Sequence, residues 1–277
     1  MRLGLIGDLH WPAASDVQAS WHNAYDFAGL PERVDRARAL FADSRADAVV
    51  VAGDLCHAGD AASAREALGR LTTDDGPEVL VVSGNHDLLL RDDGLRELVE
   101  PPAVLLDGAV REIDGWRLGG VGIARDPATR RFRWDRRWPD DSRRIDVLVS
   151  HFPVVSRAER VAEIGLAYPG DLLDLAALAT RARAHPMIVV CGHIHVRESH
   201  AAGTVLQLSG GALIEAPFEV AIVDVERDAE TLHVRRRFTR LGPSAGARDP
   251  VLTPEDEAWV FHEGAWRRED QAPDRAR

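Results

Sequence analysis

Five short polar clusters contain the residues of this chain that are best suited to chemistry. They are Asp8-Leu9-His10, Asp54, Asn85-His86, His151 and His193-Ile194-His195. Imidazole nitrogens and carboxylate oxygens are common ligands of divalent zinc, manganese and iron. Two carboxylates, one amide and up to five imidazoles are more ligands than a single ion needs. The set therefore predicts a pair of divalent metal ions, which in two-metal hydrolases lie about 3.5–4 Å apart.

Each cluster directly follows an apolar segment that is typical of a buried strand. These strands are predicted at residues 3–7, 48–52, 78–82, 145–149 and 187–190. Helical spacing of apolar residues predicts helices that begin at Pro31 or extend over 61–71 and 92–99. This alternation of strand and helix predicts βαβ units and a parallel sheet. In such sheets ligands bind beyond the carboxyl ends of the strands, which is where the clusters fall.

From Ala103 onward the chain has a different pattern, with short strands and tight turns. A meander is predicted over residues 104–106, 110–113 and 116–122, with Asp114-Gly115 as a hairpin turn. Further elements are predicted as a helix at 171–183 and strands at 204–208, 218–225 and 232–238. Because the polar clusters extend from Asp8 to His195, we predict one domain over residues 1–241. Residues 242–277 are interpreted as a peripheral C-terminal extension.

Each cluster also has an ordinary structural explanation when it is taken alone. Asp8 could cap a turn at the end of a strand, and Gly53-Asp54 is a common turn sequence. His151 alone would more often be a hydrogen-bonded core histidine. What makes the set specific is its order in the chain and the shared position of its members after buried strands.

Composition and charge exclude several classes of function. The formal net charge is −11, which weighs against nucleic acid as a non-specific partner. The chain has no lysine, and this excludes P-loop, Schiff-base and Ser-Lys chemistry. No apolar run approaches the length of a membrane span, and the N-terminus does not resemble a secretory signal. We therefore expect a cytoplasmic protein with no membrane partner, in which Cys56 and Cys191 are small buried residues rather than a disulfide.

The motifs and their order resemble those of the calcineurin-like metallophosphoesterases. The matching motifs are Asp8-x-His10, Gly53-Asp54, Gly84-Asn85-His86-Asp87, His151 and Gly192-His193-x-His195. The resemblance covers roughly residues 1–225. It implies an α/β fold with two packed mixed β-sheets flanked by helices, a four-layer α/β/β/α sandwich. It also implies hydrolysis of phosphoesters at a binuclear centre of manganese, iron or zinc.

The same resemblance implies a role for each motif residue. The first metal would be held by Asp8, His10 and His195, the second by Asn85, His151 and His193, and both would be bridged by Asp54. His86 would act as general acid or phosphate contact, and Asp87 would orient it. The nucleophile would be a hydroxide that bridges the two metals.

Three stretches are candidates for the rim of the site, at residues 11–30, 125–144 and 156–171. Individual candidates for substrate binding are His57, Trp21, His22, Asn23 and Arg125. The stretch 125–144 interleaves arginines with aromatic residues, which could stack a base and hold a phosphate. It could equally be an exposed loop or a subunit contact, so a homo-oligomer stays open.

The leading hypothesis is a hydrolase of a small phosphodiester or phosphomonoester, with a small phosphorylated substrate as its partner. A DNA/RNA exonuclease of the same family is the alternative within the enzyme class. From another class, the chain could be a non-catalytic binding scaffold on the same fold. Every ligand position is filled, which argues against the scaffold.

Overall fold

The computed structural model describes residues 1–12, 18–88, 95–96, 98–139, 144–228, 231–243 and 246–271. Two mixed β-sheets pack face to face, and helices cover their outer faces. This confirms the predicted fold class.

The elements are named here in chain order. The first half contains β1 (Arg2–Ile6), α1 (Leu30–Asp43), β2 (Ala48–Val51), α2 (Ala61–Leu71), β3 (Glu78–Val81), β4 (Ala103–Leu105), β5 (Val110–Ile113), β6 (Trp116–Val121), β7 (Ile123–Arg125) and β8 (Phe132–Trp134). The second half contains β9 (Val147–Ser150), α3 (Ala158–Glu163), α4 (Leu175–Ala182), β10 (Met187–Cys191), β11 (Glu198–Ala202), β12 (Val205–Ser209), β13 (Glu219–Arg227), β14 (Leu232–Arg240), β15 (Asp256–His262) and β16 (Ala265–Arg268).

The two sheets are both mixed, and each has a parallel centre. The first has the strand order β16-β15-β14-β13-β1-β2-β3-β4, with β1 to β4 parallel and β13 to β16 antiparallel. The second has the order β11-β12-β10-β9-β6-β5, with antiparallel strands β5 and β11 at its edges. Strands β7 and β8 form a separate hairpin. The parallel centres bring the carboxyl ends of β1, β2, β3, β9 and β10 to one region.

Alternation along the strands creates the layers of the core. Val49 and Val51 of β2 pack against helices α1 and α2, whereas Val50 packs against the second sheet. In β9, Leu148 packs with α4 and its neighbour Val149 with the first sheet. Because successive side chains of a strand point to opposite faces, an unbroken apolar run is what a sheet covered on both sides requires.

Three predictions of secondary structure need correction. Strand β4 is not part of the meander but pairs parallel to β3 in the first sheet, and only β5 and β6 form the predicted hairpin. A short apolar run indicates that a strand is buried, but the strand with which it pairs depends on the tertiary packing. The predicted helix at 171–183 begins only at Leu175. Half of the predicted helix at 92–99 lies outside the described residues, and residues 95–96 and 98 of its described part are in turns.

The last strands, β15 and β16, continue the first sheet beyond β14. Their Trp259 and Trp266 are buried in the core between the sheets. The domain boundary after residue 241 stays a prediction. Among the described residues, no helix is both long and apolar enough to cross a membrane.

Candidate metal centre and active site

The polar clusters meet where the central strands of the two sheets end. Main-chain contacts link their loops: the N–H of His10 donates to the Asp54 carbonyl at 2.8 Å. The N–H of His193 donates to the Asp8 carboxylate at 2.9 Å, and the N–H of His86 to Asp54 Oδ1 at 2.8 Å. One loop thus fixes the next, and the sequence-predicted clusters share one site.

The first compact group consists of Asp8, His10 and His195, which are all buried and whose ligand atoms lie within 4.8 Å of one another. His195 Nε2 lies 3.4 Å from Asp8 Oδ1 and 3.3 Å from His10 Nε2. On its other side, His195 Nδ1 donates to Glu215 Oε1 at 2.6 Å. Nε2 therefore points at the other two side chains, as a metal ligand requires.

The second compact group consists of Asp8, Asp54 and His151. His151 Nδ1 donates to the Ala52 carbonyl at 2.9 Å, so its Nε2 is the free nitrogen. This Nε2 lies 3.4 Å from Asp54 Oδ2 and 2.9 Å from Asn85 Oδ1. Asp54 Oδ2 is also 3.5 Å from His10 Nε2, a residue of the first group. Asp54 therefore belongs to the second group and also reaches the first, as is expected of a bridging ligand.

His193 lies beside the second group but is not one of its three members. Its ring centroid is 5.0 Å from that of His151. Its Nε2 is 3.2 Å from the Gly170 carbonyl, so Nδ1 is the nitrogen left for a metal. This set of imidazole, amide and carboxylate donors, which converge on one region, fits two divalent cations.

The loops that carry the predicted ligands have unusual backbone conformations. Positive φ angles of 51° at His10, 49° at Asp54, 69° at His193 and 51° at His195 place four non-glycine residues in the left-handed region. Each such residue costs on the order of 1 kcal/mol, although Asp and His tolerate the region better than most. Gly84 allows a further close approach, because a Cβ there would overlap the main-chain nitrogen of Asp54.

The pKa values of the buried site residues depend on burial and on the charged groups beside them. Burial alone would raise the pKa of Asp8, but His195 and the other nearby imidazoles lower it below its usual range. Burial would lower the pKa of His195, but the carboxylates of Asp8 and Glu215 raise it to about 10. Burial is the largest cause that lowers the pKa of His10, and the neighbouring His86 is the second. A metal at the first group would therefore displace a proton from His195 on binding.

His86 is oriented by a different residue from the one that was predicted. Its Nδ1 donates to the carbonyl of His57 at 2.7 Å. Asp87 instead accepts the N–H of Cys56 at 3.0 Å and of Gly84 at 2.8 Å. The prediction that Asp87 orients His86 is therefore wrong, because the Asp87 carboxylate is buried among main-chain donors of two loops. Burial and the charge of Asp54 raise the pKa of Asp87 to about 6.

His57 packs against two histidines of the site. Its Nδ1 lies 3.4 Å from His10 Nδ1, and its ring stacks on that of His86 at 5.1 Å. These three imidazoles form a third compact group of potential ligands. His57 thus packs against His10 and His86 but does not line the cleft, contrary to its predicted role in substrate binding.

A cleft of about 400 Å³ opens over the site. All three predicted rim stretches contribute to its walls. The lining residues are His10, Trp21, Tyr25, Asp54, Asn85, His86, Arg130, Arg131, Phe132, Phe152, Pro169, Gly170, Asp171, His193 and His195. Of the individual candidates for substrate binding, only Trp21 is in the lining.

The candidates His22, Asn23 and Arg125 support the walls of the cleft and do not line it, which corrects the prediction. His22 Nε2 lies 3.0 Å from the Ile194 carbonyl. The Asn23 amide donates to the carbonyls of Ala216 and Arg248 at 3.0 Å each. The Arg125 guanidinium lies over the Phe132 ring at 5.5 Å. Residue type alone gave no sign that their polar groups are used internally.

Sequence reasoning missed Glu215 and underused Tyr25. Glu215 is fully buried and accepts from His195 and, through Oε2, from the N–H of Asn23 at 2.5 Å. No local signal could have identified it, since it lies outside every motif. The Tyr25 ring stacks on His195 at 5.9 Å, and burial with the nearby Glu215 raises the pKa of its phenol, which stays neutral. Its place in the 11–30 stretch was the available signal.

Comparisons with known proteins show a family match and a similar fold. A family model described as calcineurin-like phosphoesterase matches residues 1–197. A dimetal phosphatase from Danio rerio is similar in structure, with a TM-score of 0.57 and 14% identity over 93% of this chain and 98% of that chain. A protein from Thermus thermophilus has a TM-score of 0.50 and 16% identity over 80% of this chain and 93% of that chain. At these identities the two structures show the fold alone. No curated protein matches the sequence.

Proposed function

This chain belongs to the calcineurin-like phosphoesterase family, and we propose that it is a binuclear metal-dependent hydrolase of a small phosphodiester or phosphomonoester. The observation that carries the proposal is the pair of adjacent ligand groups, which share Asp8 and have Asp54 between them. When bound, two divalent cations would supply a hydroxide nucleophile near neutral pH and offset charge on the phosphoryl oxygens. Manganese, iron and zinc all suit these ligands.

The ligand assignment extends the two groups, because it adds Asn85 and His193 beside His151 and uses Asp54 as the bridge. We propose that the first cation is held by Asp8, His10 and His195, the second by Asn85, His151 and His193, and both by Asp54. The tautomers agree with this, because main-chain or carboxylate acceptors take the outer nitrogens of His151 and His195. Loss of a ligand should therefore reduce bound metal, not only turnover.

His86 is proposed to contact the substrate. It lines the cleft, and its Nδ1 is held by the His57 carbonyl, which leaves Nε2 as the nitrogen for the substrate. With a proton on Nε2, His86 can donate to the leaving oxygen or to a phosphoryl oxygen. We assign Asp87 a positioning role, because it holds together the loops that carry Asp54 and Asn85.

The cleft favours a small substrate over a polymer. Its volume of about 400 Å³ lies in the range of small-molecule sites. The net charge of −11 also opposes the backbone of a nucleic acid. The cytoplasmic location stays a prediction, as does a homo-oligomer.

The test is to strip the purified protein of metal and reload it separately with manganese, iron or zinc. Each form is assayed with a matched aryl phosphodiester and aryl monoester, a cyclic nucleotide and single-stranded DNA. We expect metal-dependent release from one of the small esters. Faster cleavage of DNA than of every small ester would favour the nuclease, and two bound metals without turnover would favour the scaffold.

Asn85→Ala and His151→Ala test the assignment of the second cation. Each variant should lower bound metal from about two ions towards one per chain, as measured by elemental analysis after dialysis. His262→Ala, at an exposed position on β15, is the matched control. Unchanged stoichiometry in both site variants would overturn the assignment.

A further inference from the structure

The turn that joins β7 to β8 brings two arginines to the cleft. Arg130 and Arg131 are both exposed, and both line the cleft together with Asn85 and His86. Phe132, the next residue, also lines it. The arginines therefore share one space with the proposed catalytic residues, although they belong to a hairpin outside both main sheets.

This turn is held in shape by its own hydrogen bonds. Asp126 Oδ1 accepts from the N–H of Ala128 at 3.1 Å and from the N–H and hydroxyl of Thr129 at 2.8 and 2.9 Å. The N–H of Arg130 donates to the Asp126 carbonyl at 2.9 Å, and the N–H of Asp126 to the Arg131 carbonyl at 2.8 Å. The backbone that carries the two guanidinium groups is thus ordered before any ligand binds, which lowers the entropic cost of binding.

The two guanidinium groups are also uncommitted in the described part of the chain. Within the described residues, neither Arg130 nor Arg131 makes a side-chain hydrogen bond or ion pair, in a chain with net charge −11. The acidic Asp171 on the cleft wall is engaged elsewhere, since its two oxygens accept from Tyr168 and Ser156 at 2.5 and 2.7 Å. Two such cations beside a site for a phosphoryl group are the chemistry that binds a second anion.

We propose that Arg130 and Arg131 bind a second phosphate of the substrate, so that the enzyme acts on a nucleotide-like phosphoester carrying a phosphate beyond the scissile one. This inference rests on the proposed function. Arginine suits the task because its planar fork matches phosphate oxygens in pairs. Trp21 and Phe132 supply aromatic faces in the same cleft for the ring of a nucleoside.

A matched pair of esters tests the proposal. One is thymidine 5′-(p-nitrophenyl phosphate), and the other is the same ester with an added 3′-phosphate. Hydrolysis of either consumes one water and releases p-nitrophenol, leaving thymidine 5′-phosphate from the first ester and thymidine 3′,5′-bisphosphate from the second. We expect the wild type to prefer the 3′-phosphorylated ester by roughly tenfold in kcat/KM, mainly through KM, since hydrogen bonds to charged groups carry about this much energy.

Arg130→Ala and Arg131→Ala should each reduce this preference, and the double variant should abolish it. Arg130→Lys and Arg131→Lys should retain part of it. Arg136→Ala is the matched control, because Arg136 is exposed, lies outside the cleft lining and has a φ of 64°, close to the 61° of Arg130. The control should keep the preference, and circular dichroism of all variants should agree.

The outcomes separate this inference from the proposed function. If metal-loaded wild type hydrolyses neither ester, the proposed function fails. If it hydrolyses both without preference, or if the arginine variants keep the preference, the function stands and the second-phosphate site is wrong. A third ester, in which a trinucleotide replaces thymidine, tests whether the second phosphate belongs to a small molecule or to a nucleic acid backbone. Strong preference for this ester over the 3′-phosphorylated one would overturn the small-substrate form of the proposal.

Discussion

Three imidazoles of the site have their outer nitrogens fixed by acceptors that are not themselves proposed metal ligands. His151 donates to the Ala52 carbonyl, His86 to the His57 carbonyl and His195 to Glu215. Each bond selects the tautomer that leaves Nε2 for the centre of the site. Ligands held in this way lose little freedom when a metal binds, which raises metal affinity.

Glu215 gives the sharpest test of this arrangement. Glu215→Ala should weaken metal binding at the first group about 10- to 100-fold, because His195 loses the partner that fixes its ring. Glu215→Gln keeps an acceptor oxygen and should lose less. Calorimetric titration of the stripped protein with manganese measures the effect, and equal affinity in wild type and Glu215→Ala would remove Glu215 from the positioning role.

His86→Ala should leave both metals bound but lower kcat. Since His86 is proposed to protonate the leaving oxygen, the loss should be about 100-fold or more for a poor leaving group. For p-nitrophenolate, which needs little protonation, the loss should be much smaller. Rates with a series of aryl esters measure the difference, with metal content as the control. Equal losses across the series would rule out the acid role and leave only an electrostatic contact.

At the scale of elements, the loops after β2 and β3 act as one unit because Asp87 binds both. Its carboxylate is buried and accepts from Leu55 and Cys56 on one loop and from Gly84 on the other. Asp54 in turn accepts from the N–H of His86. The proposed bridging ligand Asp54 and the proposed acid His86 are therefore positioned by the same set of hydrogen bonds.

Asp87→Ala should lower the free energy of unfolding by about 3 kcal/mol, since it leaves buried N–H groups of two loops without an acceptor. Asp87→Asn keeps one acceptor oxygen and should cost less. Urea unfolding in the presence of a chelator separates this effect from metal binding. Asp43→Ala, at an exposed carboxylate, is the control. If Asp87→Ala unfolds at the same urea concentration as the control, Asp87 does not hold the loops.

At the scale of the whole molecule, the C-terminal strands help to join the two sheets. The guanidinium of Arg236 on β14 is fully buried and pairs with Glu257 on β15. It also donates to the carbonyls of Glu198 and Ser209 in the second sheet, at 2.6 and 3.0 Å. Residues beyond 241 therefore complete a buried ion pair within the first sheet, and the arginine of that pair also binds the second sheet.

A chain that ends at residue 241 tests whether the C-terminal residues are peripheral. It loses Glu257, Trp259 and Trp266, and it leaves Arg236 as an unpaired buried charge. Breaking a buried pair alone costs about 3–5 kcal/mol. We therefore expect the Tm to fall by roughly 10 °C or more, or folding to fail. Thermal unfolding followed by circular dichroism measures this. A shortened chain with the Tm of the full chain would confirm the predicted extension.

The sequence by itself determined the five strands that precede the polar clusters, the clusters themselves and the helix at 61–71. Apolar runs such as that of β2 are required wherever a sheet is covered on both faces, so they are visible locally. Because the carboxyl ends of parallel strands meet at one edge, the clusters could be placed together without coordinates.

Only the tertiary structure decided which groups contact each other across the chain. In the folded chain β4 pairs with β3, and Glu215 accepts a hydrogen bond from His195. Asp87 accepts from N–H groups of the loops, and the Asn23 amide donates to a main-chain carbonyl. A residue pattern records burial and periodicity, which are local. The partner of a buried carboxylate or guanidinium depends on which distant donors the packed sheets bring within hydrogen-bonding distance, and no local pattern contains that information.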